Sequence, residues 1–129
     1  MGEHVLTTFD RSMVKIASPF AGGVGGTEKE MCGALSGGVI VIGALHGRCE
    51  ADADDQAAEL AAVRYRERFA EEFGTTRCGP IYSKVHAPGG LGSCSYVGER
   101  ASLILLEVLE EGSQRMPSAK PGQAGRSGG

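Results

Sequence analysis

Apolar residues return at intervals of three or four positions along much of this chain, which predicts amphipathic helices. The first such run extends from residue 5 to residue 17 and ends before Pro19. A second helix is predicted to begin at the capping-box pair Thr27 and Glu30 and to continue to about His46. The glycine-rich segment 20–26 separates the two helices and is predicted to be a loop.

Two further helices are predicted in the second half of the chain. The aspartates of segment 52–55 favour a helix start, and Gly74 marks the end of that third helix. Its apolar stripe consists of Ala62, Tyr65, Phe69 and Phe73. Ser93 is a candidate cap for a last helix that continues to Gly112. The inward face of this last helix is predicted to carry Val97, Ala101, Ile104 and Val108. Residues 75–92 are predicted to be irregular.

The predicted fold class is all-α, because no segment alternates apolar and polar residues as a strand would. We expect a small bundle of about four to five helices, with the glycine-rich loop before the second helix. A chain of 129 residues fits one domain, which we assign to residues 1–116. Residues 117–129 are rich in Pro, Gly, Ser and Lys and are predicted to be a disordered tail.

Composition and charge narrow the function. The net charge of −3 does not favour binding to nucleic acid or to an acidic membrane, since both are negatively charged. The N-terminus lacks the basic start and apolar run of a signal peptide, and no apolar stretch approaches the ~20 residues of a membrane-spanning helix. We therefore expect a cytoplasmic protein that binds neither nucleic acid nor membranes. Thiols in the cytoplasm are kept reduced, so the four cysteines suggest metal or redox chemistry rather than structural disulfides.

Three cysteines have similar predicted settings. Cys32 and Cys94 each fall in the first turn of a predicted helix and share its apolar face, so both are predicted to point inward. Cys78 follows the third helix in a turn that can bring its sulfur to the same place. Backbone N–H groups at a helix start lower the pKa of a thiol, so we expect Cys32 to be the most acidic thiol of the chain. Each cysteine alone is better explained as a small buried apolar residue, but together the three predict a metal or redox site.

Two other residues are weaker candidates for this site. Cys49 lies 17 residues after Cys32, about 25 Å away if the segment between them is one helix. It is therefore expected to be a bystander or a contact in a homodimer. His86 lies in the segment that joins Cys78 to Cys94 and is the better candidate for a fourth ligand. Structural zinc sites and iron–sulfur clusters commonly take four protein ligands, so a site of three cysteines is one ligand short.

Several motifs of the chain resemble one known family. They comprise segments 17–25, 30–37 and 42–47, the run Phe73-Gly74-Thr75 with Cys78, and Cys94 at the start of an amphipathic helix. The glycines that contribute most are Gly22, Gly23, Gly25, Gly33 and Gly37. Over residues 12–111 the chain resembles the C-GCAxxG-C-C family of redox-active proteins, which is related to a domain of split-Soret cytochromes.

The resemblance implies a redox-active protein with an iron–sulfur cluster, an unidentified redox partner, and a site at Cys32, Cys78 and Cys94. Two departures from the family pattern stand out. The family reads Gly-Cys-Ala where this chain reads Cys32-Gly33-Ala34, and the family's first cysteine, upstream of the glycine loop, has no counterpart here. We expect that a helix carrying this cysteine precedes Met1 in the genomic sequence.

Three functions therefore stay open from the sequence. The first is an electron-transfer or redox-sensing protein with an iron–sulfur cluster or another metal bound by thiolates. The second is a metal-free protein in which Cys78 and Cys94 cycle between two thiols and a disulfide. The third is a non-catalytic helical module, with structural zinc or no metal, that acts through contacts with other chains. The sequence does not decide whether the protein is an enzyme.

Overall fold

The computed structural model describes residues 11–90 and 92–115, and the side chains among them as far as residue 112. This part of the chain is all-α. Its helices are α1 (Arg11–Ala17), a 3₁₀ turn (Ser18–Phe20), α2 (Gly33–His46), α3 (Gln56–Phe73), α4 (Cys78–His86) and α5 (Cys94–Arg115). None of the described helices is both long and apolar enough to cross a membrane.

Helix α3 has the boundaries that its sequence predicts. The Asp54 carboxylate accepts a hydrogen bond from the Gln56 N–H at 2.9 Å and so satisfies one of the free donors of the first turn. The helix ends at Gly74, which adopts the left-handed conformation with φ 79° that glycine tolerates. The side chain of Lys84 also caps this end of the helix, since its Nζ donates to the Phe73 carbonyl at 2.9 Å.

The core lies between α2, α3 and α5, which pack against one another. Helix α3 contributes the aromatic side chains of Tyr65, Phe69 and Phe73, whose rings contact in sequence along the helix. This confirms most of the predicted stripe, although Ala62 is only half-buried. Helix α5 buries Val97, Ala101, Ile104, Leu105 and Val108. The predicted inward face of the last helix is therefore confirmed.

Helix α2 packs tightly against α3 at Gly38. A Cβ atom placed on Gly38 would come within 2.4 Å of the Tyr65 ring, so only glycine leaves room for this ring. The Tyr65 hydroxyl then donates to the Ala34 carbonyl at 2.9 Å. This contact ties the first turn of α2 to the middle of α3.

Ion pairs join the solvent sides of α3 and α5. They are Arg64 with Glu111, Arg68 with both Glu107 and Glu111, and Arg100 with Glu72. Such surface pairs each contribute little to stability, and salt weakens them further.

The predicted start of the second helix is wrong. Residues 27–30 are not helical, and α2 begins only at Gly33. The Thr27 hydroxyl does not cap α2 but donates to the carbonyls of Gly23 and Val24. The reason is an isolated antiparallel bridge between Met31 and Arg77, which holds the chain extended just before α2.

The prediction that residues 75–92 are irregular is also wrong, since they contain α4. Cys78, Ile81 and Val85 are buried along this short helix at spacings of three and four. The pair Gly79-Pro80 favours a turn in the sequence, but proline is tolerated in the first turn of a helix because the N–H groups there have no partner within the helix.

Two predictions fall at or beyond the edges of the described residues. The described part of the first predicted helix, Arg11–Ala17, is helical, and residues 5–10 lie outside the description. Pro19 does not end the helical path at once, because it lies inside the 3₁₀ turn that follows. The predicted tail, residues 117–129, lies outside the described residues.

Candidate functional site

The bridge between Met31 and Arg77 brings two cysteines to the same place. The Cys32 N–H donates to the Thr76 carbonyl, and the Cys78 N–H donates to the Glu30 carbonyl, both at 2.8 Å. Side chains alternate across such a pair of extended segments. Met31 and Arg77 are exposed on one side, and both cysteine side chains are buried on the other.

Cys32 is the N-cap residue of α2 rather than a member of its first turn. Its side chain is 9% exposed and belongs to the hydrophobic core. Burial raises the pKa of the Cys32 thiol, because a thiolate loses solvation there. The N–H groups of Ala34 and Leu35 offset part of this rise, and the charge of Cys94 adds to it.

The expectation that the helix start makes Cys32 an acidic thiol is therefore wrong. The helix N-terminus does act in the predicted direction, but desolvation by the core is the larger effect on the pKa. The sequence pattern placed Cys32 on a buried face, and that burial is what cancels the benefit of the helix start.

Cys78 is the first residue of α4 and is 7% exposed. Burial raises the pKa of the Cys78 thiol, and the charges of Cys32, Glu28 and Cys94 raise it further, in that order. The pKa of Cys78 therefore responds to the charges of both other cysteines of the predicted site and of one carboxylate.

Cys94 is the first residue of α5, as predicted, but its side chain is exposed and does not point into the core. The buried face of α5 begins at Val97, one turn later, so Cys94 lies beyond the end of the core. Its charge nevertheless raises the pKa of both Cys32 and Cys78. The three thiols therefore share one electrostatic neighbourhood.

The weaker candidates lie elsewhere. His86 is the last residue of α4, at the opposite end from Cys78 and about 12 Å from it along the helix axis. Its exposed ring contacts Tyr82, and its Nδ1 lies 3.1 Å from the Tyr82 carbonyl oxygen. Cys49 is exposed beyond the C-terminal end of α2, which runs unbroken from Gly33 to His46.

The glycines of the motif have different local roles. Gly22, Gly23 and Gly25 all have φ near +70°, and Gly23 lies against Cys78. A Cβ atom on Gly23 would lie 2.7 Å from the Cβ of Cys78, and one on Gly33 would lie 3.2 Å from the Cα of Ala21. Gly37 has open space around it, so contacts among the described residues do not require glycine there.

The iron–sulfur cluster that the resemblance implies stays a prediction, and two observations on the described residues bear on it. Within residues 11–90 and 92–115, no three His, Cys, Asp or Glu side chains are grouped in a way that could hold a metal ion. The chain also supplies three cysteines near the site, where such clusters are commonly held by four. One exposed thiol beside two buried thiols is instead a set that can undergo thiol–disulfide exchange.

Two residues near the cysteines were missed by sequence reasoning. Tyr65 was identified only as part of an apolar stripe, yet its hydroxyl donates to the Ala34 carbonyl just after Cys32. Burial raises the pKa of this phenol, and the charge of Cys32 raises it further. Glu28 was not identified as a site residue, yet it affects the pKa of Cys78. No local pattern could reveal either role, because both depend on contacts between distant segments.

Comparison with known proteins identifies a family for this chain. A family model described as "Putative redox-active protein (C_GCAxxG_C_C)" matches residues 2–108, which is most of the chain. Curated proteins and solved structures yield no match to this chain.

Proposed function

Because the chain belongs to the C_GCAxxG_C_C family of redox-active proteins, we propose that it is a thiol–disulfide redox protein that works through Cys94 and Cys78, with Cys32 beside them. The observation that carries the proposal is the combination of one exposed thiol with two buried thiols that respond to its charge. This combination allows one thiol to meet a partner and another to complete the exchange.

The exchange requires a partner that carries a disulfide. The Cys94 thiolate attacks one sulfur of that disulfide, and the partner's other sulfur leaves as a thiolate. The thiolate of Cys78 then attacks the sulfur of Cys94, which forms the Cys78–Cys94 disulfide and releases the partner's second thiolate. In total, the two cysteines lose two electrons and two protons, and the partner's disulfide gains them. The reverse reaction would reduce the protein again.

Cys94 is the thiol assigned to the partner because its side chain is exposed. Cys78 is assigned to the second step because it lies outside the cluster of packed apolar side chains, whereas Cys32 belongs to that cluster. Thiols are kept reduced in the cytoplasm, so the proposal assigns the protein to that compartment, where such disulfides are transient.

A metal-bound form is the rival function. An iron–sulfur cluster or zinc at Cys32, Cys78 and Cys94 would require a regrouping of these side chains and a fourth ligand, which the described residues do not supply. What supports this rival is the neighbourhood that the three thiols share.

Anaerobic purification followed by a visible spectrum and metal analysis separates these functions. The proposal expects no iron and no acid-labile sulfide, together with the reversible loss of two thiols upon mild oxidation. Peptide mapping should assign those two thiols to Cys78 and Cys94. Stoichiometric iron and sulfide would instead establish the cluster, and zinc with four unreactive thiols would establish a structural site.

Serine variants sharpen the test. Cys94→Ser and Cys78→Ser should each abolish the reversible loss of two thiols. Cys49→Ser is the matched control. Cys49 is exposed like Cys94, but it lies beyond the C-terminal end of α2, whereas Cys32 is at the N-terminal end of that helix. If Cys49→Ser alone abolished the oxidation, the disulfide would form between chains at Cys49 and the proposal would be wrong.

A further inference from the structure

Cys78 is one of the buried core residues, but it does not belong to the cluster of packed apolar side chains. Its side chain is 7% exposed, close to the 9% of Cys32, yet only Cys32 belongs to the core cluster. A segment outside that cluster therefore contributes to the cover of Cys78.

The cover is the segment of residues 22–30 that follows the 3₁₀ turn. At Gly23 the segment passes so close to Cys78 that a Cβ atom on Gly23 would lie 2.7 Å from the Cβ of Cys78. The same added atom would lie 2.9 Å from the Cα of Glu28, so Gly23 fits between Glu28 and Cys78. One residue after Cys78, a Cβ on Gly79 would lie 3.0 Å from the Glu28 carbonyl oxygen. The start of α4 is thus covered by backbone.

This segment has almost no apolar anchor. Of residues 22–30, only Gly23 is buried, and Val24 is 41% exposed. Hydrogen bonds hold its shape instead. The Thr27 hydroxyl donates to the Gly23 and Val24 carbonyls at 2.8 and 2.9 Å and accepts from the Lys29 N–H at 3.3 Å.

The segment is joined to the start of α4 by two polar contacts. The Arg77 guanidinium donates to the Lys29 carbonyl at 3.2 Å, and the Cys78 N–H donates to the Glu30 carbonyl at 2.8 Å. The backbone also contains two non-glycine residues in the left-handed region, Val24 with φ 70° and Glu28 with φ 63°. Such conformations are costly for a β-branched residue like valine. A segment held this way can open without disturbing the core.

We propose that residues 22–30 form a lid over Cys78, and that opening of this lid limits the rate at which the Cys78 thiol reacts. The lid covers Cys78 but leaves Cys94 exposed, so a partner meets Cys94 first. Under the proposed function, on which this use of the lid rests, the second step of the exchange then waits for the lid to open.

The lid is tested by alkylation with iodoacetamide, which needs no redox partner. The labelling rate of each cysteine is followed by mass spectrometry in the reduced protein. Thr27→Val keeps the shape of the side chain but removes its hydrogen bonds, and it should raise the Cys78 rate about 2- to 12-fold, the factor for losing one net hydrogen bond. Arg77→Met should act in the same direction. Thr27→Ser keeps the hydroxyl and is the matched control, so its Cys78 rate should remain near that of the wild type.

The other cysteines are internal references in the same molecule. The Cys94 rate should not change, because the lid does not cover it. The Cys32 rate should not change either, because the core covers that thiol. The lid would be overturned if Cys32 and Cys78 were accelerated equally, since exposure would then come from general unfolding. Unchanged Cys78 labelling in both Thr27→Val and Arg77→Met would overturn it as well.

These outcomes are separate from those of the proposed function. If the lid is correct but no disulfide forms upon oxidation, the proposed function fails and the lid remains. If the Cys78–Cys94 disulfide forms but the labelling rate of Cys78 is the same in Thr27→Val, Arg77→Met and the wild type, the function stands and the lid is wrong.

Discussion

Replacing Gly38 by alanine tests how α2 and α3 position the cysteine site. The added Cβ would lie 2.4 Å from three atoms of the Tyr65 ring, including the hydroxyl oxygen. The ring cannot easily move away, because Tyr65 is fully buried, contacts Phe69 and donates to the Ala34 carbonyl. Overpacking of this kind typically costs about 1–3 kcal/mol.

Helix propensity acts in the opposite direction. Alanine is more favourable than glycine inside a helix by about 0.8–1 kcal/mol. The severe overlap favours the upper part of the overpacking range, so the net effect of Gly38→Ala should be a loss of about 1–2 kcal/mol in the free energy of unfolding. Gly37→Ala is the matched control, because nothing lies within 4 Å of a Cβ at Gly37. It should stabilise the protein by about 0.5–1 kcal/mol.

Urea denaturation followed by far-UV circular dichroism measures both changes, and the slope with urea should be the same in both variants. A second measurement isolates the cause. In a Tyr65→Leu background the ring is absent, so Gly38→Ala should cost less than it does in the wild type. The reasoning would be refuted if Gly38→Ala and Gly37→Ala stabilised the protein equally, or if the cost at Gly38 were unchanged without the Tyr65 ring.

Two further predictions concern the pH dependence. Arg68 holds the pKa of the Glu107 carboxyl below its ordinary value of 4.5, so the stability this pair contributes is present above that value and is lost as the pH falls through the lowered pKa. Glu107→Gln should therefore reduce the loss of stability in acid-denaturation curves, and curves identical to the wild type would contradict the role of the pair. The raised pKa values of Cys32 and Cys78 predict that alkylation of both thiols, measured against pH, reaches its half-maximal rate above the ordinary thiol value of 9.0. A Cys32 that reacts fully near neutral pH would show that the helix start outweighs burial after all.

Much of the bundle could be predicted from the sequence because its signals are local. The aromatic residues of α3 repeat at helical spacing, and Gly74 marks the end of this helix. The buried residues of α5 follow the same rule from Val97 to Val108. Each of these patterns lies within one helix, so its outcome depends little on the rest of the chain.

The errors arose where two distant segments meet. Thr27 and Glu30 have the spacing of a helix start, but pairing of Met31 with Arg77 keeps that stretch extended and delays α2 to Gly33. The helix α4 was missed because its signal is short and contains Pro80. A local rule cannot weigh a contact with a segment elsewhere in the chain.

The sequence by itself determined which residues can carry the chemistry, since it supplies the cysteines, the glycine loop and the family pattern. Only the tertiary structure decided how each thiol is used. Cys32 and Cys94 both stand at helix starts, yet one is buried in the core and the other is exposed. The pKa and accessibility of a thiol depend on what covers it, and that cover comes from segments far away in the sequence. For Cys78 it is the backbone around Gly23 and Glu28, brought there by the folding of the whole chain.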